Sequence, residues 1–262
     1  MKLVSWNVNS LKVRLSQLLG WLEKHSPDAV CLQETKIEDA KFPFQEIESS
    51  GYHCVWSGQK TYNGVAILSR SSLVDVVKGI PGFSDDQKRI IAATLGSTRE
   101  AVRLVCAYVP NGQAIDSEKY RYKLDWLAAF RDWLDEQLRQ FPRLAVLGDY
   151  NIAPSDEDVH DPRAWEGQVL CSPREREAFR SLLALGLQDG FRILSPAETS
   201  FTWWDYRMNA FKRGWGLRID HILLAPELAM RCRRCVVDLE LRRLERPSDH
   251  APVIVELDPP PL

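Results

Sequence analysis

No apolar run in the 262-residue chain approaches the ~20 residues that a membrane-spanning helix needs. The chain also lacks linkers, low-complexity tracts, internal repeats and domain-sized shifts of charge. There is no nucleophile elbow around a serine, no Walker loop and no glycine fingerprint for a dinucleotide. The formal net charge is only −2, so any polyanion site must be a local patch or be assisted by bound cations. Cysteine is sparse and mostly set in apolar runs; Cys232 and Cys235 have knuckle spacing but no second pair, so the six cysteines read as buried thiols in a reducing compartment rather than as disulfides or a zinc site. The N-terminus begins directly on a strand pattern. Together these absences give the expectation of a cytoplasmic protein with no membrane contact.

What is present is ordinary globular material: 45% hydrophobic, 27% charged, with 15 Pro and 14 Gly, enough for one large domain or two small ones. The most informative stretch runs from Leu144 to Pro154. Four apolar residues read as a buried strand, Gly148 breaks the run, and Asp149 and Asn151 follow two apart, a spacing that puts both on one side of an extended backbone. Taken alone, the same residues read more simply as an Asx turn.

Other strands share the habit of ending in a polar residue. The Leu3–Val8 strand ends in Asn7 and Asn9, with Ser10 expected to cap a helix whose apolar face is Leu11, Leu15, Leu18 and Leu22. The 28–33 strand is followed at once by Glu34. After a short helix over 42–50, strands are expected at 52–56, 65–69, 74–78, 90–95 and 102–109, the last carrying Tyr108 and Asn111 at its tip; a polar turn at 58–64 exposes Tyr62. Residues 117–141 form the clearest helix, with a core-facing stripe from Tyr120 to Phe141 stopped by Pro142.

Residues 155–171 lack periodicity and read as a long surface loop. Ser172 to Glu175 is a capping box that opens a helix to about Leu185. Strands are expected at 187–193, 217–224, 236–244 and 253–257, with a frayed tail over 258–262. Between them, Phe201 to Arg207 and Phe211 to Gly216 interleave aromatic and basic residues, a pattern that suits bases, sugars and phosphates. About ten strands and some four helices argue for packed sheets with helices outside.

The polar strand ends, Asn7, Asn9, Glu34, Tyr108, Asn111, Asp149, Asn151, Asp220, Asp249 and His250, are mostly carboxylates and carboxamides. Such an oxygen-rich set suits Mg²⁺ or Mn²⁺. An imidazole among acids is expected to stay cationic near neutral pH. A cation and an imidazolium facing a developing oxyanion suit phosphodiester hydrolysis.

Eight segments, Val4 to Asn9, Leu32 to Lys36, Gly64 to Leu68, Tyr108 to Asn111, Gly148 to Asn151, Trp203 to Arg207, Leu217 to Asp220 and Ser248 to Pro252, resemble in order the motifs of the exonuclease III and abasic-site endonuclease family. The likeness spans residues 3–257 and so implies one domain over 1–262. It implies a four-layered α/β sandwich, two packed mixed sheets flanked by helices. It implies a monomeric, Mg²⁺-dependent nuclease acting on double-stranded DNA with abasic sites, nicks or recessed 3′ ends. In that picture Glu34, with Asn7 beside it and Asp249 near, binds the metal. Asp149 and Asn151 handle the attacking water, Tyr108 and Asn111 touch the phosphate, and His250, held by Asp220, binds a non-bridging oxygen. Trp203, Leu217 and Ile219 match an apolar pocket for a flipped sugar; Asn9, Tyr62 and Arg207 are further substrate contacts. The same acids occur in related sphingomyelinases and inositol-phosphate phosphatases, from which the Trp203 and Leu217 segments separate this chain. A bulky residue between Val159 and Cys171 would bar an abasic nucleotide and leave an enzyme specialised for 3′ ends. A relative that kept the fold but lost the chemistry would have lost Glu34, Asp149 or Asp220, and all three are here.

Overall fold

Strands that are apolar on both faces need cover on both sides. In this computed structural model, which describes residues 1–96 and 100–260, two stacked sheets provide it. The strands in chain order are β1 (Lys2–Asn7), β2 (Ala29–Gln33), β3 (His53–Ser57), β4 (Val65–Ser69), β5 (Leu73–Lys78), β6 (Ile90–Leu95), β7 (Val102–Tyr108), β8 (Leu144–Asp149), β9 (Gln188–Asp189), β10 (Trp203–Trp204), β11 (Gly216–Leu217), β12 (Asp220–Leu224), β13 (Cys232–Val237) and β14 (Val253–Leu257). The helices are α1 (Leu11–His25), α2 (Phe44–Ser49), α3 (Glu118–Gln140), α4 (Pro162–Trp165), α5 (Pro173–Leu183), α6 (Gly190–Leu194), α7 (Ala210–Arg213) and α8 (Pro226–Ala229). One sheet has the order β13-β14-β1-β2-β4-β3, the other β5-β6-β7-β8-β12-β9, and β10-β11 form a separate ribbon.

The two-residue period of a strand sorts the core into layers. Leu3, Cys31 and Ile67 of the first sheet meet Leu104, Leu147 and Ile222 of the second between the sheets. Their neighbours Val4, Val30 and Leu68 point outward under Leu11, Leu18 and Leu22 of α1. On the far side Val105, Val146 and Leu223 lie under Phe130 and Leu134 of α3 and Phe179 of α5. The chain is therefore a four-layered α/β sandwich.

Register brings the polar strand ends together. β1 and β2 run parallel with Asn7 opposite Gln33, β7 and β8 run parallel with Tyr108 opposite Asp149, and β12 runs antiparallel with Asp220 opposite Asp149. β14 lies antiparallel beside β1, with Val253 opposite Ser5, which sets the 248–252 turn beside Asn7. Gly148 serves this packing directly, because a Cβ there would lie 2.1 Å from the Ala107 carbonyl oxygen.

Several local expectations are corrected. Ser10 does not cap α1 with its side chain; its φ is +88°, and instead Ser10 N and Leu11 N donate to the carbonyls of Glu34 and Thr35. Residues 187–193 are not one strand, because the Asp189 side chain accepts from Phe191 N and turns the chain into α6 after two strand residues. The 217–224 strand is interrupted where Thr202 Oγ1 accepts both Ile219 N and Asp220 N, each at 3.0 Å. The strand expected at 236–244 is β13, ending at Val237, and a 3₁₀ turn occupies Leu241–Arg243. Segment 155–171 is built rather than structureless: a 3₁₀ turn at Asp156–Asp158 precedes α4, and Asp158 is buried on Arg218 and Arg192. In the tail, Asp258 bonds twice to Arg231, while residues 261–262 lie outside the described residues.

Candidate active site

Strand ends from both sheets meet at one rim of the sandwich. Asn7, at the end of β1, donates from Nδ2 to Glu34 Oε1 at 2.9 Å and to Asp149 Oδ2 at 2.8 Å, the second bond crossing from one sheet to the other. Its oxygen accepts from Asn9 N at 2.9 Å, so the whole amide is engaged. Ser248 Oγ donates to Asn7 O at 2.7 Å and accepts from His250 N at 3.2 Å, which fastens the 248–252 turn to β1. His250 Nδ1 then lies 2.8 Å from Asp220 Oδ2, and its Nε2 lies 3.7 Å from Asp149 Oδ2.

Asp149 and Asn151 come together by a turn rather than by the pleat of a strand. β8 ends at Asp149, Asn151 has φ +49°, and Asp149 Oδ1 accepts from Asn151 N at 2.9 Å. The Asx turn and the polar site are thus one feature. Asn151 Nδ2 donates to Val109 O at 2.9 Å, and Asn111 Nδ2 donates to Asn151 Oδ1 at 3.0 Å, leaving Asn111 a second N–H.

Burial and crowding set the charges. Burial raises the Asp149 carboxyl to about 7; His250 pulls it down, while Asp220 and Glu34 push it up. Burial lowers the His250 imidazolium, but Asp220 and Asp149 outweigh this and raise it to about 10, so the ring is cationic at neutral pH. Tyr108 is held neutral, raised by burial and then by Glu34 and Asp149, with the Arg89 guanidinium 4.7 Å over its ring. One oxygen of Asp220, Oδ1, is buried without a partner.

Oxygens of Glu34 and Asp149 and a nitrogen of His250 lie within 4.8 Å of one another. His250 is a cation tied to two acids and so is no metal ligand. The carboxylates do fit a hard divalent cation: burial and neighbouring acids raise Asp149, and a cation held there would offset that negative crowding. Asp249 stands to one side, accepting from Asn9 Nδ2 at 2.9 Å and Trp203 Nε1 at 3.0 Å. Lys36 links the two groups, bonding Asn9 Oδ1 and lying 2.9 Å from Glu34 Oε2.

Other residues fall outside this cluster. Tyr62 is exposed on its turn, and Arg207 is exposed and engaged with Asp205. Trp203, Leu217 and Ile219 come together, packed against Ala153, Val159, Leu170 and Cys171; Leu217 is 0% and Leu170 5% exposed. Sequence reasoning passed over Lys123 and Leu170, and read Glu175 only as the end of a capping box. Lys123 carried a signal, since it falls in helical register with Tyr120, Leu127 and Phe130 on the buried face of α3.

The pattern of the endonuclease/exonuclease/phosphatase family matches residues 4–250. The chain is 38% identical to exodeoxyribonuclease III of Haemophilus influenzae over 265 residues, 98% of this chain and 99% of the relative. A 3′ phosphatase from Neisseria, solved with a product DNA hairpin, superposes with a TM-score of 0.96 at 48% identity, covering 98% of this chain and 99% of that one. An AP endonuclease from Archaeoglobus fulgidus superposes with a TM-score of 0.93 at 39% identity, covering 98% and 99%.

Proposed function

The chain belongs to the endonuclease/exonuclease/phosphatase family, and we propose that it is a Mg²⁺-assisted DNA-repair phosphodiesterase. On this reading it hydrolyses double-stranded DNA 5′ of abasic sites and removes 3′-terminal nucleotides or 3′-blocking groups. It works as a cytoplasmic monomer. The observation that carries the reading is His250, held as a cation by Asp220 and facing Asp149 across 3.7 Å, with the Glu34 carboxylate alongside. A phosphodiester placed there meets a positive donor on one side and a proton acceptor on the other.

Each residue has a physical task. Asn151 N–H occupies one oxygen of Asp149 and orients the carboxylate to take a proton from water. His250 donates from Nε2 to a non-bridging oxygen while Asp220 holds the ring through Nδ1. The remaining N–H of Asn111 and the neutral Tyr108 hydroxyl are donors for the same phosphate. Glu34, with Asn7 beside it and Asp249 near, would hold Mg²⁺ or Mn²⁺, which when bound neutralises charge on the phosphate oxygens. Asn9 and Trp203 fix Asp249; Tyr62 and Arg207 are the outlying contacts to DNA.

One observation favours a narrower substrate range. The apolar side chains of Trp203, Leu217 and Ile219 are packed against Val159 and Leu170, which narrows the room for a flipped sugar and favours work at 3′ ends. The test is one labelled duplex set carrying an internal abasic site, a recessed 3′ hydroxyl or a 3′ phosphate, with and without chelator. Chelator-sensitive turnover is expected, most of it at 3′ ends. Asp149→Asn is expected to fold and to lose roughly 10²–10⁴-fold in rate. Turnover of none of the three substrates, or full activity in Asp149→Asn, overturns the assignment.

A further inference from the structure

A buried ammonium lies directly behind the candidate site. Lys123 on α3 and Glu175 in the first turn of α5 are both wholly covered. The three N–H bonds of the ammonium are all engaged, with Asn151 O at 2.7 Å, Asn111 O at 3.2 Å and Glu175 Oε1. The carboxylate is equally committed. Oε1 also accepts from Leu170 N at 3.1 Å, and Oε2 accepts from Ser172 N at 3.1 Å and Ser172 Oγ at 2.6 Å. The Tyr120 hydroxyl completes the chain, 2.6 Å from Ser172 Oγ.

These contacts add little to the docking of the helices. α3 already packs through Trp126, Phe130 and Leu134, and α5 through Phe179 and Leu182. A buried ion pair is also a weak source of stability, because desolvation offsets the attraction. What the pair does is join three loops. Asn111 and Asn151 stand 40 residues apart in sequence, yet their side chains bond to each other and their carbonyls converge on one nitrogen. Gly112, at φ +91°, leaves room for the lysine stem, since a Cβ there would lie 3.2 Å from Lys123 Cδ. On the other side Leu170 holds φ +75°, a strained setting for a leucine. Its N–H is fixed by Glu175 and its carbonyl by Ala153 N at 2.8 Å.

We propose that Lys123 and Glu175 are positioning residues: their ion pair fixes the Asn111–Asn151 pair and Leu170 relative to Asp149, so that one buried contact aligns the phosphate donors and sets the apolar wall beside them. The proposal builds on the phosphodiesterase reading above, and it gives neither residue a contact with DNA.

The double variant Lys123→Met/Glu175→Gln removes both charges and keeps both chain lengths. It is expected to unfold cooperatively, with kcat lower by roughly 10- to 100-fold, the scale of a ~1 Å misplacement, and KM for duplex changed less than threefold. Lys123→Arg, which keeps the charge and the donors, is expected to recover part of kcat. Glu175→Gln alone serves if the double variant does not fold, with the same direction of change expected. Hydrogen exchange read over residues 109–113 and 149–153 is expected to quicken in the variant while residues 144–147 stay protected. A folded variant with kcat unchanged, or with exchange unchanged in both loops, overturns the proposal. Loss of protection alongside a wild-type protein that turns over no DNA supports the loop clamp and overturns the phosphodiesterase reading instead.

Discussion

At the scale of single residues, the site depends on an imidazole that keeps its proton. His250 is buried, which alone would strip its charge, yet Asp220 at 2.8 Å and Asp149 at 3.7 Å hold it to about pH 10. The sign follows: a histidine raised in the folded state contributes stability that is complete below its ordinary value near 6.5 and is lost as pH rises through 10. Asp220→Asn removes the first of these acids. The His250 midpoint, followed by its ring proton resonances in the metal-free protein, is expected to fall from about 10 towards the ordinary value; a midpoint that stays at 10 contradicts the assigned cause. Asn7, Glu34 and Asp149 were readable from the sequence because each ends or follows an apolar run. Lys123 was not, because a lysine in a helix reads as solvated unless its place on the buried face outweighs its charge. The orientation of the Asn7 amide was not readable either, since it is set by Asn9, Glu34 and Asp149 only after folding.

At the scale of elements, the decisive piece is the segment between β8 and α5. Its composition, rich in Asp and Pro, reads as a loop, while the structure ties it down through Asp158 on Arg218 and Leu170 on Glu175. Those anchors lie 60 and 5 residues away in sequence, and the longer of them leaves no periodic trace. Strands β1, β2, β4, β6, β7 and β8 were legible because both-face burial writes long apolar runs, while the more exposed β3 and β5 show as runs of β-branched and aromatic residues. The short strands β9 to β11 were not, because Asp189 and Thr202 end them by side-chain hydrogen bonds. Leu170→Gly tests what the segment does. It removes the side chain filling the Trp203–Leu217 cluster and relieves the positive φ, so the cavity cost of about 2–5 kcal/mol is partly offset. Cleavage at an internal abasic site, relative to removal of a 3′ phosphate, is expected to rise about tenfold; an unchanged ratio in a folded variant would show that Leu170 does not gate the pocket.

At the scale of the whole molecule, two sheets each contribute half of the carboxylate pair: Glu34 follows β2 of the first, and Asp149 ends β8 of the second. A divalent cation held by Glu34 at this junction of the sheets would bind only the assembled sandwich and stabilise it by mass action. At about 100 times its dissociation constant the gain is about 2.7 kcal/mol, or roughly 5–10 °C in Tm for a chain of this size. Mg²⁺ is expected to raise the Tm by that amount in the wild type and not in Glu34→Gln. An equal rise in both would place the cation elsewhere.

The bond from Asn7 to Asp149 and the contact from Asp149 to His250 span nearly the whole chain, from residue 7 to residue 250. A fragment that stops short of residue 250 therefore carries the acids without their imidazolium. Both ends of that span must be in place before the rim exists, so its chemistry belongs to the assembled sandwich and to no partial fold that lacks either end.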